Sequence, residues 1–523
     1  MKIEQKYSII NDIIGPVMTG PSSSHTAGPS RIGYMARQLM NGDIDSINIE
    51  FVEGGSFAAS YDFQGTDRGL IGGLMGFMPD DERLISALDI AQSKQISYTF
   101  AVKKFDAPHP NTARLILKNS FENTLVVTGI STGGGIVEII KIDDFDVSIK
   151  GDYYETLLFF RDNESSSEAL KKDIDRIVKD YEYISISKSK EDLLVDVKTT
   201  VELNVDIFDE LKKNHPALTI RKTCPVYSVL SGKDIKVPFD TAEEMLGFSE
   251  KNNNSPGEAG LAYEMARGNM SKDDVMSEME KIANIMECSI ERGLKSDKPG
   301  KLIKPFSGEY LKKVNNGELI DLGVMDTVIA WTMAMVEVNS YYGIVVAAPT
   351  SGACGTVPGA VLGVAKHLKS TPEEKALALL AAGATGIAIA NQATFAAEIC
   401  GCQAECGSAS AMAAAGIIQL MGGTSKQANA AASISLQNVL GMICDSVANL
   451  VEVPCLGRNV MCAINAVSSA NMVLAGVEEI IPLDEVIVSM LEVGNLMPPE
   501  LCCTNSGGLA VTKTSKELER KLK

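Results

Sequence analysis

ALALLAAGATGIAIANQATFAAEI, residues 376–399, decides the fold of the larger part of this chain. Apolar residues cover nearly every face of a 3.6-residue period, so a helix here must be enclosed by other helices. Its Ala and Gly residues allow those neighbours to come close. The most apolar part, 376–390, is broken by Gly383 and Gly386 and is too short to cross a bilayer. From about residue 240 to 523 the texture stays the same: Ala-, Met-, Leu- and Ile-rich segments punctuated by Gly and Pro. This predicts a mostly α-helical C-terminal domain without a solenoid repeat, entered past a short polar linker, KNNNSPGE (251–258).

Working back toward the N-terminus, residues 151–226 change character. Strand YETLLFF (154–160), helix SEALKKDIDRIVKDY (167–181), strands YISISKS (183–189) and LLVDVKTTVEL (193–203), helix VDIFDELKKN (205–214) and strand LTIRKTCPVYSV (218–229) follow in order. That β-α-β-β-α-β succession predicts a ferredoxin-like module. It resembles an ACT domain, a small amino-acid-sensing unit, although Asp162, Asn163, Glu164 and Ser165 stand where such units carry a glycine after the first strand. A docking or dimerising module without an effector is the competing reading. Residues 1–150 alternate β-rich pieces, INIEFV (47–52) and TLVVTGI (124–130), with amphipathic segments such as RIGYMARQLM (31–40), and predict an α+β domain. STGGGIVEII (131–140) lacks the G-x-G-x-x-G spacing and reads as a turn between strands. The chain is thus expected to be multidomain: α+β, then ferredoxin-like (ACT-like), then helical.

The 523 residues carry 48 Lys and Arg against 67 Asp and Glu, a formal charge of −19. Without clustered basic residues, neither nucleic acid nor an anionic membrane is an expected partner. The first twenty residues contain no continuous apolar h-region, so no secretory signal is read and a cytoplasmic location is expected. A small-molecule substrate and a homodimer are the remaining expectations.

Of 11 cysteines, nine lie at 354, 400, 402, 406, 444, 455, 462, 502 and 503. Soft thiolates brought together from separate segments favour zinc or an iron-sulfur cluster over Mg²⁺ or Ca²⁺. Neither a C-x₂-C pair nor a His-x₃₋₅-His pair occurs, and the local ferredoxin run is absent. Free cysteines also serve as small buried hydrophobes, the reading preferred for Cys224, Cys288 and Cys462.

Segments PTSGACGTVPG (349–359), GCQAECGSASAMAAAG (401–416) and CDSVANLVEVPCLGRN (444–459) resemble the α part of the iron-sulfur L-serine dehydratases, or L-serine ammonia-lyases. GPVMTGPSSSHTAGPSR (15–31), GTDRGLIGGLMGF (65–77) and HPNT (109–112) resemble the β part, in the same chain order. The resemblance implies that Cys402, Cys444 and Cys455 hold a 4Fe-4S cluster with one iron lacking a cysteine, and that pyridoxal phosphate is not used. An open iron is a Lewis acid able to assist loss of hydroxide from serine. Two departures stand out: Asp445-Ser446-Val447-Ala448-Asn449 replaces D-P-V-A-G, and LCCTNSGGLAV (501–511) replaces the usual Arg-Glu-Thr before Gly-Gly-Leu-Ala. Cys406 is a weaker contender for the fourth position, Cys354 is not required by the pattern, and Cys502 and Cys503 read as substitutions.

The base and the substrate contacts are sought in the N-terminal motifs. Ser22, Ser23, Ser24, His25 and Thr26 precede a helix expected near Ser30, where N–H groups and the helix dipole favour a carboxylate. His25 and Ser24 are the catalytic candidates, with His109 second. His215 reads as surface and His367 as a solvated helix face. Arg68 and Arg458 are candidates for the substrate carboxylate, and Thr350 and Ser351 for a tight loop near it. The same elimination on L-threonine or L-cysteine, or a non-catalytic amino-acid or redox sensor, are the rival readings.

Overall fold

In the computed structural model, residues 6–40, 42–120, 123–161, 167–189, 192–216 and 218–522 are described. The apolar run at 376–399 begins as a helix at Pro372–Gln392, opened by a capping box between Thr371 and Glu374 and by proline in its first turn. Helices Pro256–Gly268, Lys272–Lys295 and Ser408–Leu420 pack around it. The small-residue positions have definite partners. A Cβ on Gly383 would meet Ile9 Cγ2 at 2.2 Å, and one on Gly386 would meet Ile13 Cγ2 at 2.1 Å. The helical core is therefore closed by the start of the chain, where Ile9–Ile13 form a π-helical turn. Ile9 and Ile13 are fully buried, worth about 1.5–3 kcal/mol each. KNNNSPGE is a tight helix–helix corner rather than a loose linker: Asn253 caps one helix in the left-handed conformation and Ser255 opens the next.

A second tie joins the N-terminal segment to the helical part. Strand β1 (Val17–Thr19) pairs antiparallel with Ile344–Val346, Val17 opposite Val346. The α+β part is built on a six-stranded sheet of β2 (Ser46–Val52), β3 (Ser97–Lys103), β4 (Thr112–Lys118), β5 (Thr124–Gly133), β6 (Ile136–Ile142) and β7 (Phe145–Ile149). Its order is β3-β2-β4-β5-β6-β7, with only β2 and β3 parallel. Helices Gly28–Leu39 and Thr66–Leu74 lie together beside it, burying Ile32, Met35, Leu39 and Leu70 against Ile49, Phe51, Leu115 and Val127.

Strands β8 (Tyr154–Arg161), β9 (Tyr183–Ser189), β10 (Asp192–Thr199) and β11 (Thr219–Thr223) form a separate antiparallel sheet in the order β11-β8-β10-β9, with helices Ser167–Ile177 and Val205–Asn214 between them in sequence. The turn at 162–165 lies outside the described residues. Lys198, buried, pairs with Glu155 at 2.8 Å and donates to Ser148 O at 2.7 Å, fastening this sheet to the end of β7. No helix of the described residues is long and apolar enough to cross a membrane.

Candidate active site

The three cysteines singled out above arrive on three different supports. Cys402 sits between the short helix Ala397–Cys400 and a π-helical turn, Gln403–Gly407. Gly401 turns there at φ +66°, where a Cβ would meet Met442 O at 2.7 Å. Gln403 fixes the turn: its Nε2 donates to Met490 O at 3.0 Å and its Oε1 accepts from Gly441 N at 2.9 Å. Cys444 is held by backbone, its N–H donating to Leu501 O at 2.8 Å. Cys455 opens the helix Cys455–Leu474, where the helix dipole favours a thiolate.

All three border one narrow cleft, of about 30 Å³, together with Cys503, Ser22, Ser23, Ser24, His25, Gln64, Thr350, Glu398 and Glu405. The altered loop between Cys444 and Cys455 is accommodated: Asn449 takes the left-handed conformation at φ +62°, which asparagine tolerates better than most residues. Its Nδ2 donates to Ala59 O at 2.9 Å. Asp445 accepts from Arg458 at 2.8 Å and from Leu509 N at 2.8 Å, tying the loop to the helix of Cys455 and to the Gly-Gly-Leu-Ala segment.

Thiols are soft donors, and those of Cys402, Cys444 and Cys455 border this cleft. Among the described residues no group of three or more His, Cys, Asp or Glu side chains is placed to hold a metal ion. The Cys402 thiol is pushed up by hydrogen bonding to Cys406 and by burial, the Cys444 thiol by Cys503 and burial, and the Cys455 thiol by burial. Buried thiols this reluctant to ionise become thiolates when a cation joins them. Arg458 supplies positive charge beside Cys402 and Cys455.

Facing the thiols is the Ser22–Thr26 segment. It forms a π-helical turn over Ser23–Ala27, and the following helix begins at Gly28 rather than near Ser30, whose hydroxyl instead donates to Phe77 O at 2.9 Å. Ser22 Oγ accepts from His25 N at 3.2 Å. His25 is 1 % exposed. Its Nδ1 lies 2.8 Å from Ser24 Oγ and its Nε2 3.0 Å from Ser56 Oγ, with Phe57 edge-on to the ring. Burial lowers the His25 pKa against the pull of Glu398, keeping the imidazole neutral.

Glu398 was not legible as a site residue, yet it joins the two halves. Its Oε1 accepts from Ser24 Oγ at 3.1 Å and from Asn111 Nδ2 at 3.1 Å, and stands 3.6 Å from His25 Nδ1. Burial works against its charge, but His25 and the Asn111 amide outweigh it and hold Glu398 below the usual carboxylate range. Glu405, also missed, accepts from Thr350 Oγ1 at 2.8 Å and lies 4.0 Å from Cys402 Sγ; burial pushes it up to about 7. Each stands alone in its stretch, FAAEIC and CQAEC, which by itself does not mark a site residue. Gly133 and Gly134 of the Gly-rich turn also border the cleft.

Other expected residues lie elsewhere. Arg68 stacks over Tyr342 at 4.8 Å and Arg458 is paired with Asp445; neither borders the cleft. Ser351 binds Pro21 O and Asn339, and Thr26 binds Gln64 O, so both brace the site from behind. His109 accepts from Asn111 N at 3.0 Å through Nδ1, one residue group behind Glu398. Cys406 lies off the cleft, beside the Cys402 thiol and accepting from Asn459 Nδ2 at 3.7 Å, and Cys354 is buried off the cleft. Cys224 and Cys288 are exposed rather than buried; only Cys462 is an enclosed small hydrophobe. His215 is no surface group: it packs edge-on to Phe160 and lies 3.3 Å from Asp173.

Comparison with known proteins gives a consistent pattern. The family model "Serine dehydratase alpha chain" matches residues 207–510, and "Serine dehydratase beta chain" matches residues 12–140. The chain is 37% identical over 285 residues to the probable L-serine dehydratase alpha chain of Bacillus subtilis (strain 168), covering 54% of this chain and 95% of that one. It is 37% identical over 210 residues to the probable beta chain of the same organism, covering 40% and 94%. Along 505 residues, 94% of this chain and 96% of the relative, it is 28% identical to L-serine dehydratase of Haemophilus influenzae (strain ATCC 51907 / DSM 11121 / KW20 / Rd).

Proposed function

The chain belongs to the serine dehydratase family, with its beta- and alpha-type parts joined in one polypeptide, and from that premise we propose that it is an L-serine ammonia-lyase, eliminating water from L-serine to give pyruvate and ammonia. The observation that carries this reading is the meeting, across one cleft, of three thiols from the C-terminal part with the Ser22–His25 turn from the N-terminal part. In this reading Cys402, Cys444 and Cys455 hold a 4Fe-4S cluster. When bound, that group supplies a Lewis acid for the departing β-hydroxyl.

The chain's own residues handle the proton. Ser24, the least buried of its turn, lies between the cleft and His25. As the Cα proton moves to Ser24 Oγ, the hydroxyl proton that Ser24 had donated to Glu398 Oε1 swings to His25 Nδ1, 2.8 Å away, which neutral imidazole accepts. The resulting imidazolium faces Glu398 at 3.6 Å, so charge forms beside an anion already in place. Ser22 and Ser23 hydroxyls orient the substrate carboxylate from the same turn. Glu405, able to hold or release a proton near neutral pH, stands beside Cys402 for the leaving hydroxide. The enamine released then hydrolyses in water.

The rest of the reading is of a piece with this: a cytoplasmic homodimer in which the four-stranded sheet acts as an ACT-like docking module. Ammonia and pyruvate release from L-serine, L-threonine and L-cysteine, by anaerobically reconstituted protein without pyridoxal phosphate, tests the activity and ranks the substrates.

A further inference from the structure

Apolar walls are scarce in the cleft. Among the described residues that border it, and apart from the thiols, only Phe395, Ala397 and Val451 have wholly apolar side chains. Phe395 and Ala397 stand on the segment that carries Glu398, the partner of Ser24. Val451 stands between Cys444 and Cys455, on the loop that supplies both thiols. That loop is anchored on each side of Val451. Val447 N donates to Val453 O at 2.8 Å, closing its neck, and Asn449 is tied to Ala59 O. The residue after Val451 is Glu452, buried, whose carboxylate accepts from Lys301 N at 2.9 Å, Leu302 N at 2.8 Å and Ile303 N at 2.8 Å. Such charge-assisted bonds are stronger than neutral ones, so the backbone under Val451 has little freedom to retreat.

We propose that Val451 is a specificity-determining residue: the wall beside the substrate's β-carbon that admits L-serine and rejects L-threonine. The inference deepens the lyase reading given under Proposed function and rests on it. In that reading the α-hydrogen points to Ser24 and the β-hydroxyl to the thiols, so the β-carbon lies toward the loop of Cys444 and Cys455, where Val451 is the apolar side chain on the cleft. Serine offers that wall a hydrogen, and threonine a methyl group. The cleft is narrow, about 30 Å³, and against an anchored side chain one surplus methyl is a clash rather than a contact. L-Cysteine carries no methyl there, so Val451 does not sort it from serine.

The test compares the anaerobically reconstituted full chain as wild type, Val451→Ala and Val451→Ile on L-serine and L-threonine, with iron measured beside the kinetics. The wild type should favour serine. Val451→Ala should raise the threonine-to-serine ratio of kcat/KM at least about ten-fold, the least that one methyl group is worth in an apolar pocket, and Val451→Ile should lower it. In a His25→Asn background, which holds turnover down, calorimetric titration should show L-threonine binding tighter by a similar factor when Val451→Ala is added. A ratio and a threonine affinity that the substitutions leave in place at native iron content overturn the inference, as does a wild type that consumes threonine as fast as serine; both leave the lyase reading intact. Wild type that makes no pyruvate from serine overturns both. Should Val451→Ala lose its iron, Val451→Ile and the wild-type comparison decide.

Discussion

Glu398 accepts a 3.1 Å hydrogen bond from Ser24 across 374 residues of sequence. This contact joins the serine-rich turn of the beta-type part to the segment that carries Cys402, and places one carboxylate behind both Ser24 and His25. The site is complete only when the two parts are assembled.

Replacing Glu398 by Gln keeps the shape and removes the charge. We expect kcat to fall at least about ten-fold, ~1.4 kcal/mol of transition-state stabilisation, with KM for serine little changed. Because Glu398 raises the His25 pKa against burial, the variant's acid limb should move to lower pH. In the native protein that limb should already lie below the ordinary histidine value of 6.5, since activity needs neutral His25 and is lost as it protonates. Steady-state pH profiles of the two proteins provide the check; an acid limb that stays in place or moves upward argues against the assignment.

His25→Asn should cost about 100- to 10,000-fold in kcat, the range for a general base, while iron content stays at the native level. Iron analysis beside kinetics separates this from a cluster defect.

Arg458 is paired with Asp445, the residue after Cys444. Arg458→Gln breaks the 2.8 Å pair with Asp445 and should lower iron retention, with no selective rise in KM. A large KM increase at full iron content would return Arg458 to the carboxylate.

Gly386→Val tests the closure of the helical core by the chain start. The new side chain would collide with Ile13, an overpacking that costs about 1–3 kcal/mol. Thermal unfolding should show the loss, and limited proteolysis should cut earlier within residues 6–16.

Much of this was legible in the sequence, and the parts that were not share a cause. Periodicity identified the enclosed helix at 376–399 because burial on all sides leaves a composition mark. It did not say that residues 9–13 fill the glycine notch, since which partner meets a small-residue face depends on the whole fold. Likewise the motif resemblance pointed to Cys402, Cys444 and Cys455, which border the cleft, but not to Glu398 and Glu405 beside them: a carboxylate in an apolar run looks alike whether it faces solvent or a cleft. Arg68 and Arg458 were named near motifs, and the structure gives them partners of their own, Tyr342 and Asp445. Cys502 and Cys503 are indistinguishable in sequence, and only the fold separates them, with Cys502 beside Ile399 and Cys503 on the cleft.

The central claim is that three thiols grip a cluster which removes water from serine. Iron and pyruvate should be measured together on anaerobically reconstituted wild type and Cys444→Ala. The account predicts about four irons per chain and pyruvate formation from serine in the wild type, and loss of both in the variant. A variant that retains its iron and its activity, or a wild type that makes pyruvate at full rate without iron, would contradict it.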